Sequence, residues 1–120
     1  MAQDINSVTI SGRLTKDPDL RYLQSGDAVC TLRLASNSRI KKGEEWTDDP
    51  TYIDLSLWGG KAESAGEHLT KGQQVMVQGS LKVREWETRE GEKRITPEIK
   101  VYTIVYGRQP GDNVQQGSDD

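Results

Sequence analysis

Thr51-Tyr52-Ile53-Asp54-Leu55-Ser56-Leu57-Trp58-Gly59-Gly60-Lys61 decides how the rest of the chain is read. Ile53, Leu55 and Leu57 alternate with Tyr52, Asp54, Ser56 and Trp58, the period of a strand that buries one face. The odd positions make a dry aliphatic side. The even side carries two large aromatics among polar groups. Aromatics there either pack in a second interface or stand ready to stack on something flat. Gly59-Gly60 ends the strand, and Lys61 opens a short helical pattern.

Other alternating runs flank this strand. Val8–Leu14 puts its even positions inward and Thr9, Ser11 and Arg13 outward, with Gly12 allowing a bend or a close backbone approach. Asp17-Pro18 breaks it, and Ser25-Gly26-Asp27 signals a turn. Ala28–Ala35 alternates again, Cys30, Leu32 and Leu34 against Thr31 and Arg33. The two runs read as an antiparallel pair joined by a loop around Leu20-Arg21-Tyr22. Ser36–Pro50 is polar, with a basic cluster at Arg39, Lys41 and Lys42 and an isolated Trp46, and reads as a long mobile hairpin connection.

Beyond the strand, Ala62, Ala65 and Leu69 form a narrow apolar stripe over Lys61–Leu69, and Lys71-Gly72 is a helix stop. A helix this short would plug one end of a barrel. Val75–Trp86 is the longest alternating run, with Val75, Val77, Gly79, Leu81 and Val83 facing one way. Gln78, Ser80, Lys82, Arg84 and Trp86 face the other, so its outer side becomes cationic and ends in an aromatic. Glu87–Arg94, with Gly91 at the tip, reads as a projecting hairpin. Ile95–Tyr106 returns with Ile99, Val101 and Val105 on one face, and Pro97 implies an edge or bulge. From Gly107 the composition shifts to that of a disordered tail.

Composition sets the bounds. With 120 residues, 32% of them hydrophobic, the chain holds one domain with a small core. It has neither an apolar run long enough to span a membrane nor a signal peptide pattern, so a cytoplasmic location is expected. Cys30 is the only cysteine, which excludes an internal disulfide and a cysteine metal cluster and suits a small core residue. His68 stands without a second ligand. No nucleophile constellation, acid–base pair, phosphate loop or metal spacing is present, so an enzyme is rejected and neither metal nor cofactor is expected. The net charge of −3 argues against a nucleic-acid partner only superficially. Asp112, Asp119 and Asp120 supply all of it, leaving the rest balanced and any basic patch a matter of local segregation.

Five strands, with the helix between the third and fourth, give the element order of an all-β OB-fold, a five-stranded Greek-key barrel over residues 1–106 followed by a tail over 107–120. Four segments then carry a resemblance: Asn6–Leu14, Asp17–Tyr22, Trp58–Glu63, and Leu69–Gly72 leading into Gly79-Ser80-Leu81, with Trp86–Gly91 as a hairpin motif. In these the chain resembles the bacterial-type single-stranded DNA-binding protein family over roughly residues 5 to 106.

By that resemblance the base-stacking aromatics fall on Tyr52, Trp58 and Trp86. A further aromatic usual just after the second strand is replaced around Arg39-Ile40, and Trp46 is the candidate to stand in for it. The implied phosphate-facing cations include Lys61, Lys71 and Arg84, and Arg13, Arg21, Arg33, Lys82 and Arg89 complete the candidates for the DNA backbone. The resemblance also implies a homotetramer, and replication and repair proteins as partners, although Ser118-Asp119-Asp120 lacks the family's apolar acidic tip.

The residues agree with sequence-independent binding of single strands, since every base offers a π-face and every phosphate a charge. Two competing readings remain at this stage. An OB-fold assembly module would bury Tyr52 and Trp58 against protein. An oligosaccharide-binding barrel would use the aromatics but has no need of cations on both hairpins.

Overall fold

The structure is a computed structural model that describes residues 3–110. Its elements run β1 (Val8–Leu14), β2 (Asp19–Tyr22), β3 (Ala28–Lys42), β4 (Glu45–Trp58), α1 (Gly60–His68), β5 (Gln74–Glu87) and β6 (Lys93–Tyr106). Across the sheet the order is β1-β5-β6-β4-β3-β2, and β1 pairs again with β3 through Arg13–Ala35 and Leu14–Leu34. This second pairing closes β1, β5, β6, β4 and β3 into the expected five-stranded OB barrel. Every pairing is antiparallel except β4 with β6, which run parallel from Asp54–Glu98 to Ser56–Lys100.

Alternation fills the inside. Leu14, Cys30, Leu32, Leu34, Leu55, Leu57, Val75, Val77, Ile99 and Val101 are all buried. Ala62, Ala65 and Leu69 are buried too, so α1 caps one end of the barrel through the stripe anticipated for it. Small side chains let that short helix sit close. Gly12 marks a close backbone approach, because a Cβ there would run into the Ala35 carbonyl oxygen. At the closing seam only glycine fits.

Four features depart from the sequence reading. The segment around Leu20-Arg21-Tyr22 is a short edge strand paired with Ala28–Thr31, not a loop. Its Leu20 packs over Gly66, and the Tyr22 hydroxyl donates to Glu63 Oε2 at 3.1 Å, so β2 straps the helix to the sheet. Ser36–Pro50 is likewise strand and not connection: β3 and β4 stay paired out to Lys42–Glu45. The linking turn is Gly43-Glu44, with Gly43 at φ +63°, as a two-residue type II′ turn requires at its first position. Polar residues on both sides hid these arms, because no core face existed to impose a hydrophobic period.

The third departure is a bulge. Gln78 pairs with Thr103 but Gly79 pairs with Val101, so β6 carries one extra residue at Tyr102. The insertion flips the parity beyond it. Ile104 therefore takes the inward place expected of Val105, which is half exposed. Fourth, the alternation of β5 persists past Gly79, but Leu81 and Val83 are exposed because the strand has left the barrel and meets no core. Pro97, opposite Val83, lies just before β6 begins to pair with β4, where a missing N–H costs no ladder bond.

At the far end, Gly107 N–H donates to the Gln74 carbonyl and Gln74 N–H to that of Arg108. The backbone is thus held slightly beyond the expected boundary at 106. The rest of the expected tail, 111–120, lies outside the described residues.

Candidate nucleic-acid interface

Side chains at directly paired positions point to the same side of a sheet, so strand register fixes which residues share a surface. Around the outer side of β4, Trp58 lies opposite Val29, and Val29 opposite Arg21. In the next row Ser56 stands between Thr31 and Lys100. Asp54 comes next, between Arg33 and Glu98, with Lys82 beyond Glu98. Tyr52 follows, in line with Ala35 and Arg13. Along the β3–β4 arm the same side continues through Asp48–Arg39 to Trp46–Lys41. Along the β5–β6 arm it continues through Arg84–Thr96 to Trp86–Arg94.

All four candidate aromatics, Trp46, Tyr52, Trp58 and Trp86, therefore stand on one outward side, each between 44% and 59% exposed. Sequence alternation alone left the Tyr52/Trp58 face and the Lys82/Arg84/Trp86 face as separate surfaces. The parallel pairing of β4 with β6 joins them. Six residues separate Trp46 from Tyr52 and Tyr52 from Trp58, about 20 Å each at ~3.3 Å per residue. Trp46 shares the side of Tyr52, whereas Ile40 points the opposite way, since Arg39 and Lys41 hold the outward positions of β3. Trp86 is fixed by its indole N–H, which donates to Thr96 Oγ1 at 3.0 Å.

The cations divide by what they touch. Arg33 Nη1 meets Asp54 Oδ1 at 2.8 Å, and its guanidinium carbon lies 5.8 Å from the Tyr52 ring centre. Lys100 Nζ lies 5.9 Å from the Trp58 ring centre. Both distances are within cation–π range. Arg21 is paired with Asp19 at 2.8 Å, and that hydrogen bond and charge hold the Asp19 carboxyl below its ordinary pKa and raise that of Arg21. Arg84 approaches Glu98 at 3.7 Å and keeps most of its side chain in solvent.

Lys61, Lys71 and Arg89 lie off this central field. Lys61 lines a cavity of about 480 Å³ at the helix end of the barrel with Gly60, Ser64, Ile104 and Tyr106. Tyr106 and Ser64 are joined there hydroxyl to hydroxyl at 2.7 Å, in keeping with a structural tyrosine. Lys71 sits in the loop after α1, its backbone N–H donating to Asp17 Oδ1 at 2.8 Å. Arg13 reaches that loop as well, its Nη1 donating to the Gly72 carbonyl at 3.1 Å. Arg89 occupies the turn between β5 and β6, closed by Thr88 N–H to Glu92 O.

Lys100 is the functional candidate that sequence reasoning missed. Its signal was present, since Glu98 and Lys100 alternate outward against Ile99 and Val101, but the parallel partner strand that gives this alternation meaning is remote in sequence. No group of three or more His, Cys, Asp or Glu able to hold a metal occurs among the described residues. No helix among them is long and apolar enough to cross a membrane.

Comparison with known proteins points the same way as the geometry. A "Single-stranded DNA-binding protein" of Borreliella burgdorferi is 42% identical over 118 residues, covering 98% of this chain and 79% of the relative. One from Treponema pallidum is 39% identical over 101 residues, covering 84% of this chain but 57% of its own length. These relatives are named as binding proteins, in keeping with the rejection of an enzyme. Among solved structures, a Plasmodium falciparum SSB in complex with ssDNA superposes with a TM-score of 0.81 at 26% identity. The alignment covers 88% of this chain and 97% of the other. The family model described as "Single-strand binding protein family" matches residues 5–106, which enclose every strand of the barrel, and the chain belongs to that family.

Proposed function

We propose that the protein binds single-stranded DNA without regard to sequence, and so protects and organises it during replication, recombination and repair. One observation carries this reading: Trp46, Tyr52, Trp58 and Trp86 lie on a single outward side with cations interleaved. Aromatic faces stack on any base, and cations between them follow the phosphates. Tyr52, Trp58 and Trp86 take the bases of the central path, and Trp46 extends it along the β3–β4 arm in place of the aromatic absent near Ile40. Lys82 and Arg84 neutralise phosphates between Trp58 and Trp86, and Arg21, whose pairing with Asp19 lies in solvent and can be exchanged for a phosphate, does so beside Trp58. Arg13 and Lys71 serve a strand leaving past Tyr52, Lys61 one passing the helix end, and Arg89 one passing the hairpin tip.

The assembled form is a homotetramer. Met76 and Val105 are paired across β5 and β6, point outward and are exposed, which gives a second copy an apolar surface to cover. Replication and repair proteins are the expected protein partners. The place of work is wherever single-stranded DNA is exposed, the cytoplasm in a bacterium.

The test is binding of fluorescein-labelled oligo-dT by anisotropy, against an equal length of duplex and an oligosaccharide, over a range of salt. Tight binding of the single strand, with log affinity falling linearly with log salt at about 0.7 per neutralised phosphate, is the expected result. Equal binding to duplex, or binding indifferent to salt, would remove the proposed function.

A further inference from the structure

Two of the stacking aromatics carry a cation over the ring, but the two cations are held in different ways. Arg33 is locked on both sides. Its guanidinium lies 5.8 Å from the Tyr52 centre and its Nη1 is 2.8 Å from Asp54 Oδ1, a carboxylate with only 24% of its side chain exposed. The lock is built by register, since Arg33 is opposite Asp54 and the neighbouring outward pair is Ala35 opposite Tyr52. Ala35 is small, which leaves the Tyr52 ring open on that flank for the guanidinium to reach. Lys100 has no carboxylate. It leans over Trp58 at 5.9 Å from the adjacent strand and forms no ion pair among the described residues.

We infer that Lys100 is a phosphate-binding residue of the Trp58 platform, while Arg33 is a positioning residue that fixes the Tyr52 ring and contacts no phosphate. A guanidinium already neutralised by a half-buried carboxylate has little charge left to offer a phosphate, so it displaces no cation condensed on the DNA. An unpaired ammonium beside an exposed indole can neutralise a phosphate and displace one. It can turn from the ring to the phosphate of the nucleotide that stacks there, as its flexible stem and compact charge allow. Each platform thus has its own cation: one holds the ring, the other holds the DNA.

The inference rests on the single-strand reading above, and salt dependence separates the two. Oligo-dT binding by anisotropy is measured across a salt series for the wild type, Lys100→Gln, Arg33→Gln, the charge-free pair Arg33→Gln/Asp54→Asn, Tyr52→Ala and the triple variant. Lys100→Gln should lower affinity at low salt and reduce the log–log slope by up to about 0.7, the share of one phosphate. Arg33→Gln should lower affinity with the slope unchanged, and the effect of the charge-free pair should vanish in the Tyr52→Ala background, because a positioning residue has nothing left to position. Arg33→Gln alone strands the Asp54 charge and can unfold the protein. The paired variant avoids this and should show the same unchanged slope. A slope left intact by Lys100→Gln, or reduced by the paired variant, overturns the inference. So does an effect of the charge-free pair that persists in full without Tyr52. If the wild type fails to bind oligo-dT, the single-strand reading falls first and takes this one with it.

Discussion

At the scale of the residue, position on the pleat decides role. Cys30 and Trp58 sit on neighbouring strands, yet one is wholly buried and the other nearly half exposed, because they occupy opposite sides of the same sheet. Burial, the chief cause, raises the pKa of the Cys30 thiol, which keeps it protonated and a poor nucleophile at neutral pH. A thiol reagent should therefore modify Cys30 only as fast as the barrel opens, and the rate should climb steeply with urea. Prompt labelling of the native protein would mean that β3 frays far more easily than its packing implies. This much was legible in the chain: alternation placed Cys30, Leu32 and Leu34 inside and Tyr52 and Trp58 outside. Partnership was not legible. That Arg33 is bound to Asp54, or that Lys100 leans on Trp58, depends on register, which one strand's own sequence does not contain.

At the scale of the element, the strands were legible wherever a core gave them a dry face and illegible where it did not. The arms of β3 and β4 beyond the barrel, Ser36 to Pro50, are held by backbone pairing and polar side-chain contact such as Asn37 Nδ2 donating to Asp48 Oδ1, so their polar sequence resembles a loop. The β2 strap lacked a period because four residues are too few to display one. The bulge at Tyr102 left no mark in composition, and it reversed the facing of Val105 and Ile104. Gly12, by contrast, announced itself as a bend or a close approach, and the Ala35 carbonyl supplies the approach. Gly12→Ala should destabilise by at least about 1–3 kcal/mol, the usual cost of forcing atoms into a packed site, because a backbone carbonyl cannot swing aside. Urea unfolding would measure it. A variant as stable as the parent would show that the β1–β3 seam is looser than this closure demands.

At the scale of the whole molecule, one barrel presents two kinds of surface, an aromatic and cationic side and an apolar patch around Met76 and Val105. The element order made an OB barrel legible, but the union of the two aromatic faces needed the β4–β6 pairing. If the patch is the contact between copies, light scattering should give a mass of four chains, and Met76→Glu should lower it by burying an unpaired charge. A parent that is monomeric at micromolar concentration would exclude the tetramer. The most direct test of the outward side as a DNA platform is Trp58→Ala, with oligo-dT affinity, mass and melting temperature followed together. Trp58 supports no buried contact of the core, so a stacking residue should cost about 1–3 kcal/mol of binding while mass and melting temperature hold. Unchanged affinity in a protein that has lost its assembly or its stability would instead make Trp58 an interface residue and contradict the platform.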